Sequence, residues 1–335
     1  MPPIDLAPLV HGGDLAAART LFPGAPEPFL DLSTGINPNP YPVGQLPPDV
    51  FTRLPQQDAL ARLARIAAET YAAPSPAYVA VAPGSQIVMT QLAGLVAKGR
   101  ALALGPTYAE HARAAALAGH KVVAADDVEQ LGDAAFAVIV NPNNPDGRLV
   151  AKDALLSLAG RLRRRDGLLV VDEAFMEVAP EDASLGDAVG CGNLVVLRSF
   201  GKFYGLPGLR LSFALAAPEI AGRLAAALGP WPVSGAAPVI GAEALSDGAW
   251  RKATRASLEA AARRLDALLA DAGLDIVGGT NLFRLVWTRE AERIFRRLGE
   301  RGVLVRRFEL QPEWLRIGLP GSEAEWQRLA AALRL

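Results

Sequence analysis

The sequence predicts an α/β protein built on a doubly wound, mostly parallel sheet, with an arm before it and a smaller α+β domain after it. Three observations lead there. Runs such as Phe136–Val140, 168–171 and 194–197 are apolar throughout, as strands covered on both faces require. Helical patterns separate these runs, in the βαβ rhythm of a parallel sheet. From about Pro230 the texture changes to a long alanine- and arginine-rich helical stretch followed by short strands.

Residues 1–50 are rich in proline and glycine and read as an arm, ordered only by lying across another surface. The arm holds His11-Gly12-Gly13-Asp14 and Leu32-Ser-Thr-Gly-Ile-Asn37-Pro. A histidine beside two glycines suits close backbone approach to an anion. A large domain is expected over residues 51–230 and a small one over 231–335. Residues 58–71 show helical spacing. A strand over 78–81 runs into Pro83-Gly84-Ser85-Gln86 and a helix, which gathers free backbone N–H groups where an anion can sit.

The next strand, 101–104, is followed by Tyr108, a ring that can stack on a flat cofactor or simply pack in the core. A helix and a strand over 122–125 come next. Phe136–Val140 ends in Asn141-Pro-Asn-Asn144-Pro145, a turn crowded with amides. A helix from Lys152 to about Arg165 leads to strand 168–171 and Asp172-Glu-Ala-Phe175. A carboxylate at that buried strand end is costly unless a cation meets it. Strand 194–197 breaks at Ser199, and Lys202 follows among aromatic, glycine and proline neighbours. Arg210 stands eight residues further on, before a strand over 211–215. Ligands of such sheets bind beyond the C-terminal strand ends. Tyr108, Asn144, Asp172 and Lys202 all stand there.

Toward the C-terminus a single helical stretch covers roughly 236–270. Strands are expected near 275–277, 282–287 and 303–305. Another, Trp314–Gly318, contains Arg316, and an arginine in an apolar strand needs an anion or an ion-pair partner.

Composition narrows the classes of function. The chain has 335 residues and a net charge of −1, so no basic field calls for nucleic acid. A single cysteine, Cys191, excludes an internal disulfide framework and fits a reducing, cytoplasmic setting. No signal-peptide pattern opens the chain and no apolar run has membrane-spanning length. The 3 histidines form no metal-ligand pattern, so no metal is expected.

Lys202 carries the chemistry. Apolar company and the lack of a nearby carboxylate should lower its pKa, because desolvation disfavours the ammonium. A neutral amine is what Schiff-base chemistry with an aldehyde needs. Ser199 and Arg210 could hold a phosphate. Amine plus phosphate holders describe a pyridoxal phosphate site.

Asn141-Pro-Asn-Asn-Pro-Asp-Gly147, Asp172-Glu-Ala-Phe175 and Ser199-Phe-Gly-Lys-Phe-Tyr-Gly-Leu-Pro-Gly-Leu-Arg210 together resemble fold-type I pyridoxal phosphate enzymes of the histidinol-phosphate aminotransferase-like group. The resemblance implies Lys202 as the Schiff-base lysine, Asp172 as partner of the pyridine nitrogen and Tyr108 as the stacking ring. It gives Asn144 to the ring hydroxyl, with a part in substrate binding. The cofactor phosphate falls to the turn Gly84-Ser85-Gln86, Ser199 and Arg210, and the substrate carboxylate to Arg316. The arm resembles the threonine-phosphate decarboxylases of cobalamin synthesis. There, residues like His11, Gly12, Asn37 and an arginine matching Arg306 or Arg307 help bind a phosphorylated amino acid. The alternative implied activity is amino transfer. A homodimer is implied as well, with no membrane partner. Two departures stand out. Phe175 replaces a tyrosine that usually meets the ring hydroxyl, and Leu54 replaces a tyrosine that many relatives send across the dimer.

Overall fold

The computed structural model describes residues 11–334. In chain order the strands are β1 (Leu30–Asp31), β2 (Val79–Ala82), β3 (Arg100–Leu104), β4 (Lys121–Ala125), β5 (Phe136–Val140), β6 (Leu168–Asp172), β7 (Leu194–Ser199), β8 (Ser212–Ala216), β9 (Asp275–Thr280), β10 (Phe283–Trp287), β11 (Val303–Leu304), β12 (Arg306–Arg307) and β13 (Trp314–Gly318). Contacts divide the chain into two units. The first comprises Tyr41–Asn144 and Leu149–Arg251; the second comprises residues 11–40, Pro145–Arg148 and 252–334.

The first unit is a seven-stranded sheet in the order β2-β8-β7-β6-β5-β3-β4. Only β8 runs against its neighbours; the other pairings are parallel. Every residue of β5, β6 and β8 is buried, and so is β7 up to Arg198, which explains their unbroken apolar runs. The edge strands differ. β4 exposes Lys121, Val122 and Ala124, and β2 alternates between buried and half-buried positions. Helix Gln57–Thr70 buries Leu60, Leu63, Ile66 and Ala67, the apolar stripe of an amphipathic helix.

The helical stretch expected over 236–270 is two helices, Ala236–Ser246 and Gly248–Asp271. Asp247 divides them, because its carboxylate accepts from the Trp250 N–H at 2.9 Å and caps the second helix. The Ser246-Asp247-Gly248 sequence is the turn signal for that break.

The second unit holds a four-stranded antiparallel sheet in the order β12-β13-β10-β9. Helix Ala291–Glu300 buries Ile294, Phe295 and Leu298, and helix Glu323–Leu333 opens on a capping box of Ser322 and Glu325. The segment read as an arm is built into this unit from residue 11 to Pro40. Its helix Leu15–Leu21 is capped by Asp14, and β1 pairs in parallel with β11. Residues 1–10 of the expected arm lie outside the described residues. Among the described residues no helix is long and apolar enough to cross a membrane.

Candidate active site

β7, β6, β5 and β3 are consecutive in the sheet and parallel, so their C-terminal ends fall along one edge. Asp172 is the last residue of β6, and Lys202, Asn144 and Tyr108 follow the ends of β7, β5 and β3. β2 points the same way, because both it and β7 run opposite to β8. Its end delivers Gly84 and the helix Ser85–Leu95.

Asp172 is 4% exposed. Its Oδ1 accepts from the Ala174 N–H at 3.1 Å, and its Oδ2 lies 2.8 Å from His111 Nε2. A buried carboxylate thus keeps two partners and one orientation. Lys202 stands half-buried on the short helix Phe200–Phe203, its Nζ 6.0 Å from the centre of the Phe175 ring. Aromatic packing fixes that turn. Tyr204 stacks on Phe200 at 4.2 Å between ring centres and on Trp250 at 5.7 Å. The aromatic neighbours of Lys202 in the sequence are this stack.

The amide-rich turn divides its labour. Asn141 bonds both backbone groups of Val150, and Asn143 accepts from Thr107 Oγ1 and donates to the Pro106 carbonyl. Asn141 and Asn143 therefore shape the turn, and Asn143 ties it to the turn before Tyr108. Asn144 is the third amide, half-buried at the strand edge.

The phosphate candidates meet at Gly84. Its φ is +90°, and a Cβ there would lie 2.4 Å from Arg210 Nη2. Only glycine leaves room for the guanidinium beside the helix start, where the first backbone N–H groups have no partner within the helix. Ser199 pairs across from Ser212 in the β7–β8 ladder, near the same edge. Gln86 also stands at this helix start. One N–H of its side-chain amide donates to Glu110 Oε2 at 2.8 Å, while its backbone N–H lies in the first turn of the helix that opens at Ser85. These residues fit pyridoxal phosphate: an anion cradle that a Cβ would fill, a buried carboxylate for a ring cation, an amine and a flanking ring.

The second unit carries the other predicted set. Arg306 and Arg316 pair directly across β12 and β13, which puts both side chains on one face of the sheet. Arg316 is buried, donates to the Ser33 carbonyl at 2.6 Å and lies 5.1 Å from the Phe283 ring centre. Arg307 takes the opposite face, where it meets Glu292 at 2.9 Å and the Phe295 ring. Of the two arginines that the sequence leaves open, only Arg306 shares a face with Arg316. Gly12 packs so closely on Ser33 that a Cβ would sit 2.4 Å from the carbonyl that Arg316 uses. His11 is exposed beside it. Asn37 is buried in the same segment, and its side-chain oxygen accepts from the Asn39 N–H at 2.9 Å.

Residues 50–333 match the aminotransferase class I and II family. The chain belongs to that family. A threonine-phosphate decarboxylase of a Sinorhizobium species is 43% identical over 329 residues, 98% of each chain. Another, from Pseudomonas aeruginosa, is 41% identical over 328 residues, 97% of each chain. Among solved structures, histidinol-phosphate aminotransferase from Sinorhizobium meliloti in complex with pyridoxal-5'-phosphate matches 99% of this chain and 96% of that one, with a TM-score of 0.83 at 23% identity. The expected fold class, fold type I, is therefore the fold of this class I and II chain.

Two features of the site are not evident from the sequence. Patterning gives His111 no role beyond being one of three histidines that form no metal-ligand pattern, yet it sits against Asp172. Its signal is its place three residues after Tyr108, at a helix start beyond the same strand. The other is a buried cluster one residue past Asp172. Arg198 Nη1 meets Glu173 at 2.6 Å, its Nη2 meets Glu177 at 2.9 Å, and its guanidinium lies 4.4 Å from the Tyr71 ring centre. Burial pushes the Glu173 carboxyl above its usual range, although Arg198 opposes that. Burial disfavours the Arg198 charge, but Glu177 and Glu173 together outweigh it and raise its pKa. Burial likewise drives the Tyr71 hydroxyl well up.

Proposed function

We propose that this chain is a pyridoxal phosphate-dependent lyase. It decarboxylates L-threonine O-3-phosphate to (R)-1-aminopropan-2-ol O-2-phosphate, the aminopropanol branch of cobalamin biosynthesis, as a cytoplasmic homodimer. One observation carries the choice of substrate. Arg306 and Arg316 stand side by side on one face, two guanidinium groups placed to meet two anions of one small substrate. Phosphothreonine brings two anions, whereas histidinol phosphate has no carboxylate. The decarboxylases at 43% and 41% identity support the same reading.

When bound, the cofactor would supply an electron sink for the pair left at Cα as carbon dioxide departs. The backbone N–H groups of Ser85 and Gln86, with Ser199 and Arg210, would hold its phosphate. Tyr108 would cover its ring, Asn144 would meet its hydroxyl, and Asp172 would keep a proton on its nitrogen. Lys202 Nζ would anchor the cofactor at rest and return a proton to Cα after bond cleavage. Arg316 takes the substrate carboxylate, and Arg306 takes the phosphate with His11, Gly12 and Asn37. Two fixed anions on a small amino acid restrict its rotation, and such positioning supplies several kcal/mol toward one bond-breaking geometry.

The test is to incubate the purified protein and pyridoxal phosphate with phosphothreonine, assaying carbon dioxide and keto acid together. Gas release with little keto acid is expected, and Lys202→Ala should lose both turnover and borohydride-fixable cofactor. Rapid amino transfer to 2-oxoglutarate without gas release would replace this reading with an aminotransferase.

A further inference from the structure

Helix Glu110–Leu117 begins with two buried side chains that reach the proposed cofactor residues. His111 meets Asp172. Glu110, its neighbour, is 8% exposed. Its Oε2 accepts from Gln86 Nε2 at 2.8 Å, and Gln86 Oε1 accepts from the Tyr108 hydroxyl at 3.4 Å. An ionised carboxylate can only accept. It therefore dictates which way the Gln86 amide points, nitrogen toward Glu110 and oxygen toward Tyr108. That direction commits the Tyr108 proton to Gln86.

We propose that Glu110 is a positioning residue for the cofactor site: it sets the polarity of the chain Tyr108 to Gln86 to Glu110, and through it the plane of the Tyr108 ring. The inference rests on the cofactor reading and extends it to a residue that touches no reacting atom. Glu110→Gln preserves the shape of the side chain but removes the polarity, since an amide both donates and accepts. Gln86 can then turn over, present its nitrogen to Tyr108 and force that hydroxyl to rotate. The ring facing the cofactor loses its single setting.

Two measurements decide it. In ¹⁵N-labelled apoprotein the Gln86 side-chain amide signals, assigned with Gln86→Ala, should move in Glu110→Gln. In the loaded protein, equilibrium dialysis should show pyridoxal phosphate binding weakened about tenfold, the scale of a hydrogen bond to a charged group. The visible circular dichroism of the cofactor should change with it. In a Tyr108→Phe background Glu110→Gln should weaken binding no further, because the far end of the chain is gone. Amide signals that stay in place would overturn the proposal, and so would an equal loss in both backgrounds, which marks a general structural role. Wild-type protein that takes up no cofactor would overturn the parent reading instead, and the apoprotein signals decide the Glu110 chain without it.

Discussion

His111 and Asp172 form a buried pair 2.8 Å apart. Asp172→Asn keeps the shape of that contact and removes the charge that would hold a proton on the cofactor ring. Turnover in steady-state decarboxylation is expected to fall about 10²-fold, the scale of a lost charge-specific contact. Near-normal turnover would exclude Asp172 from the role. The arginine pair gives a sharper residue-scale contrast. Arg306→Ala should raise KM for phosphothreonine tenfold or more, roughly the 1.5–3 kcal/mol of a hydrogen bond to a charged group. Arg307→Ala removes an exposed pair with Glu292, worth about 0–1 kcal/mol, and a contact with the Phe295 ring on the opposite face, and should leave KM within roughly twofold. Equal effects of the two would mean that the face shared with Arg316 does not select the phosphate ligand.

The ends of β6 and β7 are joined by Glu173, Glu177 and Arg198, one residue beyond Asp172 and one before Ser199. Two carboxylates share one guanidinium, so its removal strands both in the core. Arg198→Met is expected to cost about 3–5 kcal/mol of stability, as broken buried pairs do. The loss should depend on pH. Burial already holds the folded Glu173 pKa above its ordinary value, and without Arg198 it rises further. The folded variant then keeps a proton that the unfolded chain releases above about pH 4.3, so stability falls as pH rises. Urea unfolding should show a larger deficit at pH 8 than at pH 5, and a deficit equal at both would contradict stranded carboxylates. Element identities were mostly legible, because a strand covered on both faces must be apolar throughout, as β5 and β6 are. The break at Asp247 was hidden by helix-favouring alanines on both sides, which masked a short capping turn.

At the scale of the whole molecule, Phe51, Leu54 and Trp231 are 71%, 57% and 53% exposed. All three lie in the first unit, on segments joined by the Gln57 side chain bonding the Pro230 carbonyl at 2.8 Å. Apolar side chains grouped this way on a surface mark an interaction face, and the proposed occupant is a second copy. Sedimentation should give a dimer, and Phe51→Asp with Leu54→Asp should shift it toward monomer. A wild-type protein that is monomeric and fully active would rule out the dimer.

Sequence alone determined the sheet and the places of Tyr108, Asn144, Asp172 and Lys202 beyond its strand ends. Those follow from local apolar runs and from the order of connections, which a parallel sheet converts into a single edge. The tertiary structure decided the rest. Alternation along β12, in register with β13, separated Arg306 from Arg307. Packing across 61 residues of sequence put His111 on Asp172, and across 24 it turned the Gln86 amide toward Glu110. Apolar patterning records which face of an element is buried. It does not record which polar group from a distant stretch of the chain will meet another there, and that pairing exists only once the chain is folded.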